Sequence, residues 1–465
     1  MALSAKTSSH KRSSASSQRL NKAKKGRWGW ITAGFMIIAL ASAAGGAWLA
    51  MALASVPLRQ AKLTPAQAAV FRQDKAISYQ SLNLPQLSRP INVLVLGTKV
   101  LTSDIGKTSP DQGYQALVNS LEGLTDTMMV VRLDPNQGKL TLLSIPRDTK
   151  VKIPGHGTQK INAANVFGGP ALAASTIEDL MPGVAIDRYL RVNVQAVEKL
   201  IDALGGVSVY VPKDMKYQDD SQHLYINLKE GQQHLNGQEA LGLLRYRKDA
   251  LGDIGRIQRQ QLVTRAVMEQ ALKPQTLLKI PDIVAILQSH IDTNLTMEEL
   301  VAMGGFAAQR QRSDVQMMLL PGDFSGRTGT SYWLPQSSKI NALVAQHFSS
   351  ETADSPWAET TSAEMASSEN PSRLHIAIQD STNNPKAVRA LVRRLSQAGY
   401  RRITVVEGWR QPLRQTRILA QQGDSQGAAQ VRQALGFGEV LVDSSGYLIS
   451  DVTIQIGQDW QGPGQ

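Results

Sequence analysis

Between Arg27 and Arg59 the sequence contains no Asp, Glu, Lys or Arg, and from Trp30 to Val56 it is mostly Ala, Ile, Leu, Met and Gly. About 20 apolar residues span a bilayer, so the stretch is long enough to cross one with room for tilt. Trp28, Trp30 and Trp48 suit the two interfacial belts. Residues 1–27 carry eight Lys and Arg and no acid. That cluster should stay on the cytoplasmic side and send everything after Val56 outward. A cleaved signal peptide is the competing reading, because Ala52-Leu53-Ala54 resembles a cleavage site. A secretory apolar region usually runs only about 7–15 residues, however, which favours an uncleaved anchor.

The anchor also explains the charge. The formal net charge is +12, a value that suggests a nucleic-acid partner. Removing the eight basic residues of the tail leaves 42 basic against 38 acidic side chains, or +4. The globular part is nearly balanced, and no nucleic-acid partner is expected. Cysteine is absent, which excludes disulfides, thiolate metal sites and a cysteine nucleophile.

The remaining 400-odd residues are long for one core. The pattern divides them into a polar stalk (57–90), a large domain (91–348), a Ser/Thr/Glu/Ala linker (349–372) and a small domain (373–460), after a tail (1–29) and a transmembrane helix (30–56). Short helix is expected in the stalk near Thr64 to Asp74. Ile91-Asn92-Val93-Leu94-Val95-Leu96-Gly97 reads as a buried strand. Thr127 to Leu133 and Lys139 to Ile145 read as a hairpin about the turn Asp134-Pro135-Asn136-Gln137-Gly138. Helical spacing covers Pro170 to Leu180 and Val197 to Leu204, with strands at Tyr189 to Val194 and Val207 to Val211. Helix should continue from Asn236 to about Ala308, before a late strand at Val315 to Leu320. Strands alternating with helices predict an α/β fold, an α/β/α sandwich on a mixed central sheet. The small domain, also α/β, shows no catalytic spacing and reads as a binding or docking module.

Four clusters in the large domain carry candidate chemistry: Thr125-Asp126-Thr127, Ile145-Pro146-Arg147-Asp148-Thr149, Arg245-Tyr246-Arg247, and Asp253 to Gln261. Arg245 and Arg247 share a face only if the backbone there is extended, as it would be where a helix from Asn236 runs out. Asp253, Arg256 and Gln260 fall on one helical face. Guanidinium forks bind phosphate oxygens bidentately, and carboxylates can hold Mg²⁺ against the same oxygens, so the set suits a pyrophosphate. Each piece alone has a plainer reading: a turn residue, a surface pair, a solvated face, a helix cap. Gly168-Gly169-Pro170 reads as a turn, the histidines show no metal-ligand spacing, and no Ser–His–Asp set is evident.

Taken together and in order, these segments resemble the LytR-CpsA-Psr family, whose members attach glycopolymers to peptidoglycan. The match includes Lys160-Ile161-Asn162-Ala163, Ile186-Asp187-Arg188-Tyr189, Asp202-Ala203-Leu204-Gly205-Gly206-Val207 and His234-Leu235-Asn236-Gly237. The small domain is similar to the LytR C-terminal module. The resemblance implies a phosphotransferase that moves a glycan from a polyprenyl-pyrophosphate carrier to peptidoglycan at the outer face of the plasma membrane. It implies pyrophosphate-binding roles for Arg147, Arg245, Arg247 and Arg256, with Gln260 and Lys160 as substrate ligands. Asp253 would support the arginines, Asp148 or Asp253 would serve as general base, and Asp126 would be a Mg²⁺ ligand. Two positions depart from the family pattern. Leu124 stands where an Arg is usual, and Lys99 stands where a second metal-binding Asp is usual, with Asp104 as a possible replacement. A non-catalytic glycan- or lipid-binding protein and a transcriptional attenuator are the alternative readings.

Overall fold

The computed structural model describes residues 58–465 apart from 59, 61, 81–83, 100–120, 221–223, 247–251, 272, 280–282, 284–290, 327–330, 350–370, 407–410 and 461–465. Asp104, Arg247, the expected anchor and residues 350–370 of the linker lie outside the described residues. No described helix is long and apolar enough to cross a membrane.

The large domain is built on one six-stranded mixed sheet. Its strands are β1 (Ile91–Lys99), β2 (Leu124–Asp134), β3 (Lys139–Ile145), β4 (Arg188–Asn193), β5 (Ile291–Thr293) and β6 (Val315–Leu319), in the order β5-β4-β1-β2-β3-β6. The β1–β4 and β3–β6 pairs are parallel and the rest antiparallel. Alternation along the strands sends Leu94, Leu96, Met128, Val130 and Leu143 to one face, and Ile91, Val93, Leu133, Leu140 and Leu142 to the other. Two helices, α1 (Ala164–Leu180) and one at Ser337–His347, cover the first face through Ala173, Ile177, Leu343 and Val344. The helix Met297–Ala308 covers the second through Leu300, Met303 and Phe306. The result is the expected three-layer arrangement.

A side lobe carries the site helices. The helices α2 (Val194–Leu204), α3 (Gly237–Arg245) and α4 (Gly252–Ala271) pack with two short antiparallel ribbons around Ile201, Val209, Ile226, Leu243 and Val263. Asn236 caps α3 reciprocally with Glu239. A Cβ at Gly237 would collide with the Glu198 carbonyl, so this glycine lets α3 lie directly against α2.

Two segments differ from expectation. From Leu63 onward the supposed stalk packs on the sheet. Phe71 is fully buried against Tyr189, with ring centroids 5.1 Å apart, and Arg89 pairs with Asp187 at 2.7 Å. The expected helical run from Asn236 to Ala308 is broken by β5, an edge strand whose buried Asp292 pairs with Arg191 of β4 at 2.6 Å. Burial there rests on an ion pair, which leaves no apolar period to read.

The small domain has its own sheet and core. Its elements, in order, are β7 (His375–Asp380), α5 (Pro385–Gln397), β8 (Arg402–Val405), β9 (Arg417–Ala420), α6 (Ser425–Leu435), β10 (Glu439–Val442) and β11 (Val452–Ile456). The strand order is β8-β7-β11-β9-β10. It docks on the large domain: Met317 of β6 bridges to Asp443, Lys339 pairs with Asp451 at 2.8 Å, and the buried Leu448 joins the large domain's core.

At this seam the His347 ring lies 3.1 Å from the Gly423 carbonyl and 3.2 Å from Gln316 Oε1. Burial lowers its pKa, so the folded state holds the proton less tightly than the unfolded chain. Its contribution to stability is complete above the unfolded value of about 6.5. It is lost as the pH falls through the depressed folded value. Between pH 7.5 and 5.5 the wild type should therefore lose more of its urea midpoint than His347→Gln. Equal losses in the two proteins would assign the acid sensitivity to another group.

Candidate active site

The site begins with a slip in strand register. Gly97 of β1 faces Thr127 of β2, but Thr98 faces Thr125, so Asp126 is the extra residue of a β-bulge. A bulge turns a side chain out of the regular alternation. Asp126 and Thr127 are accordingly both half-exposed, between the buried Thr125 and Met128.

Arg147, just past the end of β3, reaches this carboxylate. Its Nη1 donates to Asp126 Oδ1 at 2.7 Å and its Nε to Asp148 Oδ2 at 3.2 Å. The other Asp148 oxygen accepts from Lys160 Nζ at 2.6 Å, and Lys160 lies over the Tyr332 ring, 5.5 Å from its centroid. Asp148 thus has both oxygens held by cations. It orients Arg147 and Lys160.

From the other side come α3 and α4. Arg245 is the last residue of α3, where a cation is favoured by the helix dipole. Tyr246 then turns extended (φ −59°, ψ 127°), as the Arg-Tyr-Arg spacing requires. Arg256 and Gln260 project from one face of α4, and Gln260 Nε2 donates to the Asp126 carbonyl at 3.2 Å. Asp253 lies on the same helix, one turn before Arg256.

Asp126, Arg245, Arg256 and Gln260 rim an open cleft of about 630 Å³. Gly97, Thr98, Asp126, Arg245, Arg256 and Gln260 form its polar end, and Val192, Val197, Leu241 and Leu244 its apolar wall. The cleft lies beyond the C-terminal ends of the parallel strands β1 and β4, where open α/β sheets place their ligands. Arg256 and Gln260 also border a second cavity of about 300 Å³ with Arg147, Asp148, Phe324 and Trp333.

The structure therefore brings together Arg147, Asp148, Lys160, Asp126, Arg245, Arg256 and Gln260. Sequence reasoning missed the apolar wall and the aromatic side. Trp333 is buried edge-on to Phe324, centroids 4.9 Å apart, and its backbone N–H donates to the Asp148 carbonyl. The adjacent Tyr332-Trp333 pair was the available signal.

Among the described residues no three Asp, Glu, His or Cys side chains converge to hold a metal ion. Among the described residues that line the cleft one is a carboxylate, Asp126, already paired with Arg147. Mg²⁺ is commonly held by one or two carboxylates together with substrate phosphates. The donor set fits an ion completed by a phosphate-bearing substrate, not one caged by protein alone.

The LytR_cpsA_psr family model matches residues 59–349. The chain belongs to the LytR-CpsA-Psr family. A second model, LytR cell envelope-related transcriptional attenuator, matches residues 373–460. Similar family proteins include the polyisoprenyl-teichoic acid–peptidoglycan teichoic acid transferase TagU of Oceanobacillus iheyensis. It is 33% identical over 264 residues, which cover 55% of this chain and 74% of TagU. The regulatory protein MsrR of Staphylococcus aureus is 35% identical over 199 residues, covering 42% of this chain and 59% of MsrR. The crystal structure of B. subtilis TagV matches with a TM-score of 0.46 and 28% identity, over 56% of this chain and 97% of that one.

Because Arg147 neutralises two carboxylates, Arg147→Ala should cost about 1–2 kcal/mol of stability, the range of a half-exposed charge-assisted pair. Arg147→Lys should recover only part of it, since one ammonium cannot reproduce the guanidinium fork. Urea denaturation of the three proteins measures this, and full recovery by Lys would show that charge alone matters.

Proposed function

We propose that this family member is a membrane-anchored, extracytoplasmic transferase. It moves a glycopolymer from a polyprenyl-pyrophosphate carrier to a peptidoglycan hydroxyl and releases polyprenyl phosphate. The observation that carries the reading is the pairing, in one cleft, of a polar end bearing Arg245, Arg256 and Asp126 with an apolar wall. A ligand that fits both has a highly charged head joined to a hydrocarbon tail. The named activity of TagU supports the same class.

In this reading the pyrophosphate lies between Arg245 and Arg256, with Arg147 held in place by Asp126 and Asp148. The acceptor hydroxyl attacks the glycan-side phosphorus, a new O–P bond forms as the hydroxyl proton passes to a carboxylate base, Asp148 or Asp253, and the bond to the polyprenyl phosphate breaks. The arginines stabilise the charge that gathers on the phosphoryl oxygens, and catalysis rests mainly on positioning and electrostatics. Asp126 would hold Mg²⁺ against the substrate, where the ion adds charge neutralisation. The basic tail stays cytoplasmic and residues 30–56 anchor the chain in the plasma membrane.

Purified full-length protein should release polyprenyl phosphate from a synthetic lipid-pyrophosphate glycan. Arg245→Ala and Arg247→Ala should each lower turnover by at least about 100-fold, as expected when a charge-assisted contact to the reacting group is removed. Donor bound without release would favour a binding protein, a reading that Lys99, in place of the carboxylate expected of the family, recommends. Near-normal turnover in both variants would remove these arginines from the site.

Lys99 ends β1 where a second metal-binding carboxylate is expected of the family. Lys99→Asp should therefore lower the Mg²⁺ concentration needed for half-maximal turnover, and Asp126→Ala should abolish the response to Mg²⁺. Wild-type turnover undiminished in excess EDTA would show that the reaction needs no metal.

A further inference from the structure

The small domain, read from the sequence as a binding or docking module, makes several of its contacts with the back of a site helix. At about 100° per residue, Arg256 and Gln260 lie within about 40° of each other on α4, while Gln258, Gln261 and Arg265 centre on the opposite side. That opposite side is gripped by one loop of the small domain, between β10 and β11. Arg265 forms an ion pair with the buried Asp443 and donates to Ser445 Oγ at 3.3 Å. Ser444, fully buried, donates to Gln261 Oε1 at 2.7 Å, and Gln258 Nε2 donates to the Gly446 carbonyl at 3.2 Å.

The loop is itself fixed. Asp443 bridges to β6 and accepts from Ser445 N at 2.9 Å. A Cβ at Gly446 would collide with Gln421 and Thr453, and Leu448 is buried in the large domain's core. The apolar contacts of α4 are with other elements, through Ile257 toward the main core and Val263 and Ala266 toward the side lobe. Among the described residues an ion pair and hydrogen bonds join its back face to the small domain, and such contacts are directional: they fix rotation and axial position where apolar packing tolerates sliding.

We infer that the 443–448 loop positions α4, so that the small domain completes the active site by setting Arg256 and Gln260 against Asp126. Gln261, Arg265 and Ser444 are positioning residues in this scheme and touch no substrate. The inference rests on the pyrophosphate reading of the cleft and gives the C-terminal module a role in that same site.

The test uses the full-length chain in detergent micelles, with inorganic pyrophosphate as the probe in calorimetry and the synthetic lipid donor in turnover. Ser444→Ala and Gln261→Ala should each weaken pyrophosphate binding about 5- to 10-fold and lower kcat by a similar factor. Arg265→Ala should do more, and Arg265→Lys should restore part of the loss. The deciding comparison repeats Ser444→Ala in the Arg256→Ala/Gln260→Ala background. If the loop acts through Gln260 and its helix face, the further loss there should shrink to less than about twofold, while the fall in melting temperature stays the same in both backgrounds. Equal fold-losses in the two backgrounds, or unchanged binding in all the loop variants, would overturn the inference. Wild-type protein that binds no pyrophosphate would instead overturn the reading of the cleft on which it rests.

Discussion

The bulge at Asp126 is the constraint on which the site depends. Without the slip between Gly97 and Thr98, alternation would send Asp126 and Thr127 to opposite faces of the sheet. With it, a carboxylate emerges at the end of β2 where strands β1 and β4 also end. Arg147 is drawn to it from β3, and Asp148 and Lys160 follow. A half-buried chain of alternating charges is stable only when each member is neutralised by the next. The same chain holds Arg147 at the second cavity, which Arg256 and Gln260 also border. The placing of Arg147 is therefore set by side chains of the protein itself.

Much of this was legible in the sequence, and the reason is local. The strands β1, β2 and β3 are runs of Val, Leu, Ile and Met bounded by Gly, Pro and Asp, so period and punctuation agree. Arg256 and Gln260 are one helical turn apart, and any helix would have placed them together. What resisted reading was non-local. The register slip at Gly97 has no signal in either strand alone. The buried Arg191–Asp292 pair disguises β5, because its interior face is charged. Phe71 and Ala76 are too sparse to show a period, though both are buried. The polar loop 443–448 could not announce a partner lying some 180 residues earlier in the chain.

The two departures from the family pattern acquire a physical link from the register. Lys99 and Leu124 are directly paired across β1 and β2. The resemblance implies an acid and an arginine at these places, an opposite-charge cross-strand pair. Changing the acid alone to lysine would set two cations directly opposite one another, a destabilising arrangement. Leucine at 124 removes that repulsion. The pair thus reads as one coupled exchange rather than two independent losses.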